Sequence, residues 1–230
     1  MDHIISREQT KPNNTRQLLN KTFQKVALAV LITAVTAFAG NYAFAGIFAK
    51  FSRSLTGAIV VMVLMFALIT QVQRSIQNRQ DKRGTKLFYG LAALNGLFLS
   101  YIFSYFSLGT IGASFLVTSG LFLALSRFGL TREKDLISWQ KGLFITLIGV
   151  IILSVFSLFI GISGLSLILN IAILVLFSFY TIFDTNQLVK RYETIAHRDI
   201  EGVSSLFALT LYMDFINIYL SILQLLGNND

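Results

Sequence analysis

The chain contains no cysteine, so it has neither a disulfide framework nor a thiolate zinc or iron–sulfur centre. It contains one proline, Pro12, close to the N-terminus, which leaves every later apolar segment free of proline kinks. Charge is scarce as well. Asp, Glu, Lys and Arg make up 13% of 230 residues, about half the usual share of a soluble domain, while 54% are hydrophobic. These deficits exclude a disordered chain, a stapled secreted domain and an ordinary cytosolic enzyme, and they point to an integral membrane protein. The net charge of +8 becomes informative only once the basic residues are located.

Long stretches carry no charge at all: Val26 to Ala49, Ser54 to Gln73, Leu87 to Ser126, and Gly142 to Phe183. A fifth apolar stretch, Gly202 to Asn229, is interrupted only by Asp214. About 20 apolar residues cross a bilayer as a helix, so the first, second and fifth stretches give one span each. The third and fourth are about twice that length, and each holds a turn signal near its middle, Ser107-Leu108-Gly109-Thr110 and Gly161-Ile162-Ser163-Gly164. The spacing therefore predicts an all-α seven-helix bundle with spans near 26–48, 55–73, 87–106, 110–126, 142–160, 165–189 and 203–226. Residues 1–25 form a cytoplasmic tail, and 26–230 a single transmembrane domain.

The basic residues set the orientation. All but two of the 19 fall in the N-terminal tail and in the connections after the second, fourth and sixth spans; Lys50 and Arg53 are the exceptions. This asymmetry places the N-terminus in the cytoplasm and the C-terminus outside. It also assigns the positive charge to topology and to anionic lipid rather than to nucleic acid. Ala37-Phe38-Ala39 and Ala43-Phe44-Ala45 resemble signal-peptidase sites, but the tail and apolar stretch before them are too long, so an uncleaved first helix is expected. Within the tail, Leu19, Phe23 and Val26 share one helical face, expected to lie at the lipid interface as a lead-in to the first span.

Of the 11 acidic residues, only Asp184 and Asp214 lie inside spans. An intramembrane carboxylate is costly unless paired, hydrated or protonated, so it marks function by default. Tyr180, Asp184, Gln187 and Arg191 recur at helical spacing on the sixth span; Thr210, Asp214, Asn217 and Ser221 do so on the seventh. Consecutive antiparallel helices let the two polar stripes face each other. Two carboxyls in a low-dielectric site cannot both ionise cheaply, so the pair would share a proton and respond to pH. Ionised, it offers hard oxygen ligands suited to weak, transient Ca2+ binding, with carbonyls and water completing the shell. The alternative is that both residues only join helices by hydrogen bonds.

The stretch Phe177-Ser178-Phe179-Tyr180-Thr181-Ile182-Phe183-Asp184-Thr185-Asn186-Gln187 resembles the sixth-helix signature of the Bax-inhibitor (TMBIM) family. Leu211-Tyr212-Met213-Asp214-Phe215-Ile216-Asn217-Ile218-Tyr219 resembles that family's most diagnostic segment, Leu-Tyr-Leu-Asp-Phe-Ile-Asn. The resemblance implies a seven-helix bundle with the seventh helix central, a bacterial plasma-membrane location and a pH-sensitive passive calcium leak. It implies Asp184 and Asp214 as pH sensor and cation gate, with Tyr180, Gln187, Thr210 and Asn217 in support. Some members also place an Arg near the cytoplasmic end of the second helix, paired with the sixth-helix Asp when closed; Arg74 and Arg79 are the candidates here. The resemblance also permits an interaction protein that modulates a membrane protease or a stress-response partner through the tail.

Catalysis finds little support. An intramembrane aspartyl protease needs Gly-x-Gly-Asp at its second aspartate, whereas Leu211-Tyr212-Met213 precedes Asp214, and no Pro-Ala-Leu follows. Gly161-Ile162-Ser163-Gly164 matches a rhomboid nucleophile motif, but the only histidines are His3 in the tail and His197 in a connection on the opposite side of the membrane. No Lys lies in the last span to form a retinal Schiff base.

Overall fold

In a computed structural model the described residues are 2–53, 55–160, 164–190 and 200–227. They form seven long helices and no strand: α1 (Asp2–Arg53), α2 (Leu55–Gln77), α3 (Asp81–Leu99), α4 (Leu108–Thr131), α5 (Trp139–Ile160), α6 (Leu165–Lys190) and α7 (Ile200–Gly227). Each contains a segment long and apolar enough to cross a bilayer. The chain is a multi-pass membrane protein, and the expected count of seven spans holds. The last helix is the most deeply packed, with 67% of its apolar window buried against 6% for α5.

Helix boundaries depart from the charge gaps in an instructive way. The first span begins at Thr15, well before Val26, within one continuous helix from Asp2. Leu18, Thr22, Lys25, Val26 and Ala29 form a buried face, so this stretch is packed in the bundle rather than laid along the lipid interface as a lead-in. A charge gap truncates this helix because it counts Lys25 as outside, whereas the structure pairs that ammonium internally. The third span shows a different departure: it ends in a turn of 3-10 helix, Ser100–Ser104.

Two compact units are present. The first comprises residues 1–105 and 192–212, with α3 packed against both α1 and α2 and the N-terminal half of α7 contributing Ile200–Tyr212. Gly96 admits the closest approach here, since a Cβ at this position would strike Thr36 Oγ1 and the Thr33 carbonyl. The Tyr212 hydroxyl meets Thr33 Oγ1 at 2.7 Å and accepts from Asn95 Nδ2 at 2.9 Å, which joins three helices. At the end of α2 the chain turns through Arg79, a non-glycine residue with φ 58°. Its N–H donates to the Ile76 carbonyl at 3.1 Å, and Gln80 N–H donates to the Ser75 carbonyl at 2.8 Å, the paired bonds of a glycine-type helix terminus. Arg79→Gly is expected to stabilise the protein by about 1 kcal/mol, a Tm rise of roughly 2–4 °C in a thermal melt.

The second unit comprises residues 106–191 and 213–230, with α6 packed against α4 and α5 and the C-terminal part of α7 contributing Met213–Gly227. Ser107 caps α4 by accepting from Thr110 N–H at 3.1 Å, which fixes the turn read from the sequence there. The turn signal at 161–164 lies outside the described residues except Gly164, whose φ of 86° suits glycine alone. Met62 and Phe66 on α2, Leu116 and Leu123 on α4, and Phe144 and Ile145 on α5 are all more than half exposed. Such exposed apolar faces on each unit are untenable in water and are what lipid requires.

Candidate intramembrane carboxyl site

The second unit brings Asp184 of α6 and Asp214 of α7 together, and the two carboxyls interact electrostatically. Two carboxyls this close in a low-dielectric site cannot both ionise cheaply, so they favour sharing a proton. Asp214 is buried, 3% exposed, and its Oδ2 has no hydrogen-bond partner among the described residues. Asp184 is half-buried. The pair therefore joins a buried carboxyl with an unpartnered oxygen to a half-buried one.

Packing around the site explains its placement. Next to Asp214, the Phe215 ring lies edge-on to Phe115 and Phe122 of α4, at 5.9 and 5.5 Å between centroids. Gly129 of α4 lies so close to α6 that a Cβ would strike Thr185 Oγ1 and the Ile182 carbonyl. Thr181 and Thr185 satisfy their hydroxyls on α6 itself, donating to the Phe177 and Thr181 carbonyls at 2.9 and 2.6 Å. Those hydroxyls are therefore occupied within the helix.

The supporting positions divide. Tyr180, one turn before Asp184, is half-buried against Phe177 and interacts electrostatically with both carboxyls. Gln187 turns elsewhere, donating to Asp135 Oδ1 at 2.7 Å in the α4–α5 connection. Thr210 and Asn217 bond to their own helix, at the Phe207 carbonyl (3.1 Å) and the Met213 carbonyl (2.8 Å). Ser221 is buried. Arg74 and Arg79 are exposed residues of the first unit, and neither forms an ion pair among the described residues. Arg191 and the rhomboid-like Ser163 lie outside the described residues, as does His197.

The profile of a protein family described as "Inhibitor of apoptosis-promoting Bax1" matches residues 15–230, nearly the whole chain. The chain belongs to the Bax-inhibitor family. Its relatives include the inner membrane protein YbhL of Escherichia coli strain K12, 34% identical over 74% of each chain. A protein of Borreliella burgdorferi is 31% identical, covering 92% of this chain and 91% of its own. A membrane protein of Streptococcus pyogenes serotype M1 is 29% identical over 100% of this chain and 99% of its own.

Two polar clusters of this Bax-inhibitor family member escaped the sequence reading. In the first unit, Lys25 is buried and its ammonium donates to Glu201 Oε1 (2.6 Å), the Glu201 carbonyl (2.9 Å), Ser204 Oγ (3.0 Å) and Ser205 Oγ (2.7 Å). Lys21 reaches the other Glu201 oxygen at 3.1 Å. The available signal was Lys21 and Lys25 at i, i+4, one helical face leading directly into a buried stripe. In the second unit, Asn186 is fully buried among backbone groups of the α4–α5 connection. Its partners in that connection are main-chain atoms, which leave no sequence signal.

Proposed function

We propose that this Bax-inhibitor family protein is a pH-sensitive passive calcium path of the bacterial inner membrane, with its N-terminus in the cytoplasm, and not an enzyme. One observation carries the reading: carboxyls of α6 and α7 that interact with each other, the Asp214 one buried with its Oδ2 unpartnered among the described residues. At low pH the shared proton holds α6 to the C-terminal part of α7 and leaves the pair a single negative charge, engaged between the two carboxyls, which makes it a poor cation ligand. Raising pH removes the proton. Two adjacent carboxylates then repel each other, by about 4 kcal/mol for unit charges 4 Å apart at an effective dielectric constant of 20. They also present hard oxygens to Ca2+, the transported ion. Two carboxylates with carbonyls and water bind weakly enough for release, as conduction demands. The similarity to YbhL, an inner membrane protein, and the exposed apolar faces of the helices support the location.

The test is Ca2+ entry into liposomes that contain the purified protein and a trapped indicator, from pH 6 to 8. Flux is expected to rise with pH. Flux no greater than that of empty liposomes at every pH would overturn the reading and leave modulation of a membrane protease or stress-response partner as the role.

A further inference from the structure

We propose that Asn186 is a positioning residue for the carboxyl pair, seating the α4–α5 connection as a strap on the turn of α6 that carries Asp184. The proposal rests on the calcium-path reading for its functional consequence, though not for its geometry.

Asn186 has no exposed surface, and apart from a long contact from Gln187 Nε2 at 3.5 Å the atoms it gathers belong to one short stretch of chain. Its Nδ2 donates to the carbonyls of Gly129 (3.4 Å), Arg132 (3.2 Å) and Lys134 (3.2 Å). Its Oδ1 accepts from Leu136 N–H at 3.0 Å. One amide thus satisfies the frayed carbonyls where α4 ends and an N–H of the connection beyond, which a buried backbone turn cannot leave unmet. Leu136, 3% exposed, plugs the strap into a cluster with Ile182 and Phe183, with Trp139 and Leu143 packed against it. Gln187 adds the bond to Asp135. The strap is therefore fastened to Ile182 and Phe183 just before Asp184 and to Asn186 and Gln187 just after it, while the residues around Leu136 are exposed.

This placement couples the strap to the pair. Any motion of this turn away from Asp214 must either carry the strap or break its seat, so the seat opposes separation of the two carboxyls. The titratable groups around the pair are few. Tyr180 on α6 interacts with both aspartates, and Asp135 of the strap reaches the next turn through Gln187. Arg127 on α4 and Lys141 on α5 are exposed, and Arg132 lies over the Phe128 ring. On α7 the titratable groups beyond Glu201 are Asp214 itself, on which Asp184 of α6 acts, and the tyrosines Tyr212 and Tyr219. The pair is thus the group whose ionisation would load the seat.

The natural chain has no cysteine, which makes Leu136→Cys a single reporter. In nanodiscs, its maleimide labelling rate is compared at each pH with the rate for the same reporter in an Asp214→Asn background, which cancels the thiol's own pH dependence. The ratio is expected to stay near one at pH 6 and to rise at least threefold by pH 8. Asn186→Ala is expected to move the midpoint of the flux–pH profile down by at least half a unit, because a loosened seat lets the pair separate with less charge. If Leu136→Cys fails to fold, exchange of the Leu136 amide hydrogen in the unmodified chain and in Asp214→Asn, both at pH 8, replaces it, with at least threefold faster exchange expected in the unmodified chain. Equal rates across the pH range, or an unmoved midpoint in Asn186→Ala, overturn the positioning role even where flux responds to pH. Absent flux with a pH-dependent ratio upholds the coupling and removes only the calcium path.

Discussion

Asp214→Asn is expected to flatten the pH profile of calcium flux and to cut flux at pH 8 at least tenfold. The amide has nearly the shape of the protonated acid and can donate to Asp184 as that acid would, so the contact between α6 and α7 survives. It cannot ionise, so the repulsion that separates the helices never develops. A repulsion of about 4 kcal/mol corresponds to roughly a thousandfold bias between closed and open arrangements, so tenfold is a conservative floor. Asp184→Asn should flatten the profile as well but with a smaller loss, because Asp184 is half-buried while Asp214 holds the unpartnered interior oxygen. Stability separates this from misfolding: removing a buried ionisable group while keeping its contact with Asp184 should leave Tm unchanged or raise it. Asp214→Asn protein with unchanged Tm and a wild-type pH profile would show that the pair is helix-packing glue.

The seven spans and the carboxyl pair were legible for the same reason. Lipid forbids charge, so gaps between charged residues trace the helices, and the two carboxylates that break the rule stand out. Helical spacing then put Tyr180 beside Asp184, and the structure keeps it near both carboxyls. The same rule misled at α1, because Lys25 is an ammonium whose countercharge, Glu201, lies far along the chain and is invisible to any local window. Gln187 shows the limit of periodicity. It lies on the stripe with Asp184, yet Asp135 in the adjacent connection draws its amide away. Arg79 illustrates backbone context, since nothing in its side chain marks the left-handed conformation that its helix terminus imposes.

The Lys25 cluster predicts an asymmetry that simple loss of an ion pair would not give. Glu201→Ala is expected to lower Tm by roughly 5–10 °C, about 2–3 kcal/mol, whereas Lys25→Met should lower it by no more than about 3 °C. In the first variant Lys25, 7% exposed, keeps only the neutral Ser204, Ser205 and a backbone carbonyl as hydrogen-bond partners, and Asp81 acts on it with no bond of its own. A buried charge stripped of its counterion is what makes such deletions costly. In the second, Met fills the space of the Lys stem. The carboxylate left behind keeps Lys21 at 3.1 Å, and its side chain is 33% exposed, so water can solvate it. The Ser205 hydroxyl also retains Thr85 Oγ1 at 2.7 Å when the ammonium is gone, so no serine there is orphaned by the substitution. Thermal melts of the two single variants and the double variant in one lipid environment check the order. The double variant should recover most of the Glu201→Ala loss, because removing the ammonium removes the penalty. Equal losses from the two single variants would mean that the cluster acts through packing rather than through the buried charge.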